Sequence, residues 1–264
     1  MNELPQSILN DWPLWGLSSE SDSATTIDGD ALKVDVIEGG LTNQNFLLQT
    51  SVGKFVLRLH NASASLGINR DAELAVQQLA ATAGLTPGIL YNAPDHSYSV
   101  RPYIDGKILS ATAISQSDLS AMADILSRLH NLPVPEGQPI LDTHSACRLY
   151  LTDADDSDTK HSLLLEVDAL PSLPDEDYCI CHLDPLAANW IRDTSGKLWL
   201  LDWEYAAVTH RLLDYAAVDL WLPHALKADW RRLLPAGENS LPLIPLATAH
   251  IRLLDRCWRL AHQE

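Results

Sequence analysis

The sequence has few basic residues and no long apolar run. Only 18 of its 264 residues are Lys or Arg, against 35 Asp and Glu, so its formal net charge at pH 7 is −17. This charge repels phosphate backbones and anionic lipid surfaces, which argues against nucleic acid or a membrane as a partner. Apolar runs such as 198–201 are far shorter than the roughly 20 residues that span a bilayer. A small cationic molecule suits this charge better.

Cysteine is also scarce, because the chain contains four. They are too few and too unevenly spaced for a disulfide framework. The first fifteen residues contain no Lys or Arg, so we expect no secretory signal, a cytoplasmic location and reduced thiols. Cys179, Cys181 and His182 could belong to a metal cluster, but there is no second ligand pair at zinc-site spacing. Buried strand thiols are therefore favoured over a metal site.

The first part of the chain is predicted to form a β-sheet, with one helix between its third and fourth strands. Period-two patterns predict strands at 33–36, 46–49, 54–59, 89–91 and 97–103. Apolar residues at helical spacing predict a helix over 69–84, which Gly84 ends. A short helix and an acidic loop precede the sheet. These patterns indicate an N-terminal segment (1–32) followed by a small antiparallel-sheet domain (33–104).

The remainder of the chain, 105–264, reads as a mainly helical domain. From Gly106 onward the pattern is helical, beginning with an amphipathic helix at 117–129. Short apolar strands interrupt the helices at 178–182 and 198–201. The fold class expected from the whole pattern is α/β, with a sheet-rich domain before a helical one.

The most informative motif is His182-x-Asp184-x₄-Asn189, followed by Asp202 at the end of the next hairpin. Phosphoryl transfer needs a carboxylate that orients the attacking hydroxyl and accepts its proton, together with oxygen ligands for Mg²⁺. Asp184 supplies the first group, and Asn189 and Asp202 supply the second. Each residue alone could be an ordinary turn or strand-end residue. Their joint spacing favours a phosphotransferase.

Upstream residues match the nucleotide-binding half of such a site. Arg58 lies on the third predicted strand and Glu73 one turn into the next helix, the order expected for a cation near the phosphates and its carboxylate partner. Gly40 lies in a Gly-Gly turn that permits close backbone approach, and Thr42 and Asn43 offer donors to phosphate. An ordinary strand charge, a solvated helix residue and a plain hairpin turn are the alternatives.

These segments together resemble the choline/ethanolamine kinase branch of the aminoglycoside phosphotransferase family, which also contains bacterial thiamine kinases. The matching residues are 39–43, 55–58, Glu73, 182–189 and 202–206. The resemblance implies a protein-kinase-like bilobal fold, with a small antiparallel-sheet N-lobe and a mainly helical C-lobe. It also implies binding of ATP and Mg²⁺, and transfer to a small-molecule hydroxyl.

Two further residues are interpreted through the resemblance. Asp214 matches a structural Asp that supports the catalytic loop, whereas Leu183 stands where the family usually has Asn or Gly. There is no room between Asp202 and Asp214 for a protein-kinase activation segment, so protein substrates are not expected.

The acceptor is expected to be a small cation. Aromatic faces and carboxylates hold quaternary ammonium groups, which makes Trp203, Glu204 and Tyr205 candidate substrate-binding residues. Choline or ethanolamine is the first choice. Thiamine is next, then aminoglycosides or amino sugars, and a non-catalytic binding protein of the same fold stays open. The sequence indicates no oligomeric state.

Overall fold

The computed structural model describes residues 4–16, 32–37, 43–61, 67–152, 154, 157–174, 178–235 and 240–262. The chain divides into two units, residues 1–105 and 106–264, which are described separately. Among the described residues, no helix combines the length and the apolar character needed to cross a bilayer.

A five-stranded antiparallel sheet forms the centre of the first unit, with strand order β1-β2-β3-β5-β4. Its strands are β1 (Lys33–Ile37), β2 (Asn43–Thr50), β3 (Gly53–His60), β4 (Tyr91–Asn92) and β5 (Tyr98–Pro102). The edge strand β4 is later and shorter than the predicted 89–91. Leu90 donates one backbone hydrogen bond to Val100 O at 2.9 Å, but its side chain is exposed, so apolar character here did not indicate a buried strand.

Two α-helices of the first unit are described, one before β1 and one between β3 and β4. Helix α1 (Gln6–Asn10) is followed by a 3₁₀ turn that ends at Trp15, whose buried indole Nε1 donates to Tyr98 Oη at 3.2 Å. Helix α2 (Arg70–Thr82) confirms the predicted helix and begins at the N-cap Asn69, whose side chain accepts from Ala72 N at 3.1 Å. This cap satisfies a backbone donor that the first turn cannot satisfy itself.

Six helices of the second unit lie among the described residues. They are α3 (Gln116–His130), α4 (Thr143–Leu151), α5 (Ser157–Ala169), α6 (Leu212–Trp221), α7 (His224–Arg231) and α8 (Ile244–His262). One core cluster joins α4, α5 and α8 through buried Cys147, Val167, Leu253 and Cys257. All four cysteines are buried free thiols, as the sequence predicts.

Two small antiparallel sheets complete the second unit. Strand β7 (Tyr178–Cys181) pairs with β10 (Ala207–His210), and β8 (Trp190–Asp193) lies between β6 (Gly106–Ile108) and β9 (Leu198–Leu200). Strand β6 was not predicted, and it precedes the predicted helix at 117–129, which is confirmed as α3. Gly106 pairs with Asp193, and a Cβ on Gly106 would collide with the backbone carbonyl of Arg192. Glycine is required at this position because the two strands approach so closely.

Candidate active site

The loop after β7 carries the His182-x-Asp184 motif and is held by one buried carboxylate. Asp214, in the first turn of α6, accepts hydrogen bonds from the backbone nitrogens of His182 at 2.9 Å and Leu183 at 2.7 Å. This is the supporting role that the resemblance implies for Asp214. Leu183 has a φ of +67°, the left-handed conformation that Asn and Gly adopt most easily. Leu183 therefore holds a backbone conformation that costs more for leucine than for the Asn or Gly usual in the family.

Asp184 and Asn189 are in direct contact. Asn189 Nδ2 donates to Asp184 Oδ2 at 2.7 Å and to the Asp184 carbonyl at 2.8 Å. Burial, followed by the negative charge of Asp202, raises the pKa of Asp184 to about 7, although the hydrogen bond from Asn189 lowers it. The side-chain nitrogen Nδ2 of Asn189 thus closes the loop, and its side-chain oxygen Oδ1 is the candidate metal donor.

Asp202 is brought to this loop through its neighbour Leu201. The backbone nitrogen of Leu201 donates to Asn189 O at 2.8 Å, and its carbonyl lies 2.9 Å from His182 Nε2. Asp202 itself has a φ of +67°. Carboxylate and amide oxygens are the donors that Mg²⁺ prefers, and a divalent cation would relieve the repulsion between Asp184 and Asp202. The residues present fit a magnesium ion.

The three predicted substrate-binding residues differ in accessibility. Trp203 is fully buried, donates from Nε1 to Leu200 O at 3.3 Å and packs edge-on against the His182 ring at 4.8 Å. The structure therefore assigns Trp203 to the core beneath the loop, where no substrate can reach it. Glu204 is buried, whereas Tyr205 is half-buried. Burial and then the charge of Glu204 raise the pKa of the Tyr205 hydroxyl, so it remains protonated at neutral pH.

In the first unit, Glu73 is shared by two arginines. Arg58 Nη1 lies 3.5 Å from Glu73 Oε1, and Arg70 Nη1 lies 2.5 Å from Glu73 Oε2. Arg70 also donates to Asn43 Oδ1 at 3.2 Å, so Asn43 is buried against an arginine at the start of β2. The contact between Arg58 and Glu73 is as predicted, and Arg70 is an addition. Gly40 and Thr42 lie outside the described residues.

Sequence reasoning missed two residues of these networks. Arg70 stands three residues before Glu73, and this helical spacing is a signal that could have found it. The other is His130, the last residue of α3, whose Nε2 lies 2.9 Å from Asp214 Oδ2 with both side chains buried. No local pattern connects His130 to Asp214, because they lie 84 residues apart.

His130 also changes the metal-cluster alternative. The Sγ atoms of Cys179 and Cys181 lie 3.8 Å apart, and the histidine within 4.8 Å of both is His130 rather than His182. His182 instead directs Nε2 to Leu201 O. Burial raises the pKa of the Cys181 thiol, which favours the neutral form over the thiolate that binds metal.

Comparison with known proteins identifies the family to which this chain belongs. The model of the phosphotransferase enzyme family (APH) matches residues 33–243, and the chain belongs to this family. The choline kinase LicA from Streptococcus pneumoniae superposes with a TM-score of 0.69 at 20% sequence identity, covering 87% of this chain and 88% of that one. The fold is thus that of the protein-kinase-like phosphotransferases, with an antiparallel-sheet unit and a mainly helical unit.

Two curated relatives are similar in sequence. Protein LicA from Haemophilus influenzae is 29% identical over 192 residues, which cover 68% of this chain. A probable ethanolamine kinase from Arabidopsis thaliana is 23% identical over 212 residues, which cover 71% of this chain. The chain spans 56% of the length of each of these relatives.

Proposed function

We propose that this protein transfers the γ-phosphoryl group of ATP to the hydroxyl of a small cationic metabolite, with choline or ethanolamine as the first choice. The observation that carries the proposal is the contact of Asp184 with Asn189, beside Asp202, on a loop that Asp214 holds by two backbone hydrogen bonds. Membership of the phosphotransferase enzyme family supports the same reaction.

Asp184 is proposed to orient the acceptor hydroxyl and to take its proton. A general base works best when its pKa lies near the working pH, and burial together with Asp202 moves the pKa of Asp184 in that direction, to about 7. The hydrogen bond from Asn189 Nδ2 fixes the orientation of this carboxylate before substrate binds. A carboxylate held in this way loses little freedom when the acceptor arrives.

Asn189 and Asp202 are proposed to hold Mg²⁺, which would neutralise charge on the nucleotide phosphates. Arg58 is proposed to contact those phosphates, and Glu73 to orient Arg58 from α2. Gly40, Thr42 and Asn43 complete the predicted nucleotide-binding residues.

A cationic acceptor is supported by the negative charge near Asp184. Asp202, Glu204 and Asp255 all raise its pKa, which means that their carboxylates act on the same region. Tyr205 adds a half-buried aromatic ring next to Glu204, and an aromatic ring beside carboxylates suits a quaternary or primary ammonium. The named activities of the relatives, choline kinase and ethanolamine kinase, agree with this chemistry. Thiamine and then aminoglycosides or amino sugars are the next candidates.

The test is an ADP-release assay with choline, ethanolamine, thiamine, kanamycin and glucosamine, with ATP or GTP as donor and with or without Mg²⁺. Turnover of choline or ethanolamine with Mg-ATP supports the proposal. Turnover of thiamine alone keeps the mechanism and changes the acceptor. Saturable ATP binding without turnover of any acceptor favours a non-catalytic binding protein.

Two substitutions test the proposed roles. Asp184→Ala should lower turnover by about 10²- to 10⁴-fold and leave ATP affinity nearly unchanged. Asp202→Ala should instead remove the magnesium-dependent part of ATP binding. Asp168→Ala is the matched control, because Asp168 is an exposed carboxylate on α5 that pairs with Arg148. Equal, mild effects of the first two substitutions would contradict the assignment of the loop.

A further inference from the structure

A cavity lies in the second unit, between α6, α7 and α8, apart from the proposed catalytic loop. It is a cavity of about 860 Å³ that is partly open to solvent, and its lining includes residues of all three helices. This volume falls within the range of small-molecule binding pockets. None of its lining residues belongs to the segment 182–205 that carries the proposed catalytic groups.

The cavity is basic although the chain is strongly acidic. Four cationic side chains line it, and Asp219 is the one carboxylate among the described lining residues. Arg232 is also paired with Asp229 beside the lining, so four cations face two carboxylates and the excess charge is +2. The cations are Lys227, Arg231, Arg232 and Arg252. The whole chain carries −17. A concentration of positive charge in a concave surface attracts anions from solution.

The cations are partly arranged in advance for an anion. Arg231 donates to both oxygens of Asp219, from Nε at 2.8 Å and from Nη2 at 3.0 Å, and Lys227 Nζ lies 3.3 Å from the same carboxylate. One carboxylate therefore holds two cations in place without neutralising both. Arg252, on α8, makes no hydrogen bond or salt bridge within the described part of the chain. Its guanidinium is available for a bidentate contact with a phosphate.

The rest of the lining is largely apolar. Leu220, Leu241, Ile244 and Pro245 contribute to it. Inorganic phosphate would contact the cations and leave these side chains in water. A phosphate ester with an apolar or aromatic group would cover both.

We infer that this cavity binds an organic phosphate monoester. Arg252 and Arg231 would contact the phosphate, and the apolar side chains of Leu220 and Ile244 would contact the organic group. This inference does not depend on the proposed kinase activity, because it concerns other residues and a binding equilibrium rather than turnover.

Phenyl phosphate is the probe, and its binding is measured by isothermal titration calorimetry on the full chain. Phenol and inorganic phosphate test the two halves of the ligand separately. We expect phenyl phosphate to bind more tightly than inorganic phosphate, phenol not to bind measurably, and affinity to fall as salt is raised from 50 to 500 mM. Equal binding of phenol would overturn the inference, since it would make the cavity an apolar groove.

Substitution of Arg252 locates the site. Arg252→Gln should weaken phenyl phosphate binding by about tenfold, the loss of one charge-assisted contact at a partly exposed position. Arg259→Gln is the matched control, because it removes the same charge from the same helix outside the cavity lining. If Arg252→Gln does not fold, Arg231→Gln takes its place, since Arg231 is the other arginine assigned to the phosphate.

A final measurement distinguishes this cavity from the proposed catalytic site. Saturation with Mg²⁺ and a non-hydrolysable ATP analogue should leave phenyl phosphate binding unchanged. Displacement by the analogue, equal affinity in Arg252→Gln and the parent protein, or no saturable binding at millimolar concentrations would each refute the inference.

Discussion

Substitution of Asp214 by Asn changes one atom of a fully buried side chain that three donors approach. Asp214 Oδ2 accepts from His182 N and faces His130 Nε2, both at 2.9 Å, and Oδ1 accepts from Leu183 N at 2.7 Å. A carboxylate accepts at both oxygens, whereas a carboxamide accepts at only one. In Asp214→Asn the oxygen can keep the two Oδ2 contacts, and the NH₂ group then faces the backbone N–H of Leu183.

The expected loss follows from these three contacts. A buried hydrogen bond to a charged acceptor contributes about 1.5–3 kcal/mol, and that of Leu183 is lost completely. The other two become neutral bonds of roughly half the strength. Together these changes should lower the free energy of unfolding by about 4 kcal/mol. Leu183 also loses a contact that holds it at a φ of +67°, so the position of Asp184 becomes less defined.

Urea unfolding followed by tryptophan fluorescence gives the stability, and the ADP-release assay gives the rates. We expect turnover to fall by about 10- to 100-fold, because a small displacement of a catalytic group has an effect of this size. The KM for ATP should change much less. Asp168→Asn is the control, an exposed carboxylate whose loss should cost less than about 1 kcal/mol. An Asp214→Asn protein within 1 kcal/mol of the parent, with normal turnover, would refute the role given to Asp214.

Three further predictions concern stability. Burial and two nearby arginines lower the pKa of His60 to about 4. In the unfolded chain the imidazole binds a proton near pH 6.5, so lowering the pH favours the unfolded state. The free energy of unfolding should therefore be highest above pH 6.5 and should decrease by up to about 3 kcal/mol towards pH 4. His60→Asn should reduce this decrease in urea titrations at pH 7 and pH 4.5. Leu183→Asn should raise the free energy of unfolding by about 1 kcal/mol by relieving the left-handed conformation, and no gain would contradict the strain assigned there. Gly106→Ala should destabilise by at least about 2 kcal/mol because its Cβ meets the Arg192 carbonyl. Gly88→Ala should cost less than about 1 kcal/mol, because its Cβ makes only an ordinary contact with Ala81 Cβ at 4.0 Å.

Local patterns were sufficient for the long elements of the fold. Helix α2 and strand β5 occur where periodicity predicts them, because their buried residues repeat at the spacing of the element, as Tyr98 and Val100 do in β5. Strands β6, β8 and β10 were missed. They have three or four residues and each pairs with a strand distant in sequence, so no period could develop within them. Their strand conformation is imposed by their partners.

The same distinction applies to the candidate site. Asp184 and Asn189 are five residues apart on one loop, so their spacing in the sequence already reflects their contact. His130, at the end of α3, reaches Asp214 through the tertiary fold of the second unit, and spacing in the sequence carries no information about that contact. Trp203 shows the opposite error. An aromatic residue next to a metal-binding candidate suggests a substrate contact, but the Trp203 side chain is fully buried, where it contacts the His182 ring and donates a hydrogen bond to Leu200 O.

The Glu73 cluster shows what a pairwise prediction leaves out. An isolated pair of Arg58 and Glu73 would be neutral, and a neutral pair attracts phosphate weakly. The structure adds Arg70, whose contact with Glu73 at 2.5 Å is shorter than the 3.5 Å contact of Arg58. Among the described residues, two guanidinium groups share one carboxylate, so the charges of these three side chains sum to +1. Arg70 contacts the Glu73 carboxylate more closely than Arg58 does, so this carboxylate is not dedicated to Arg58 alone. An excess of positive charge among these three side chains agrees with the phosphate contact proposed for Arg58.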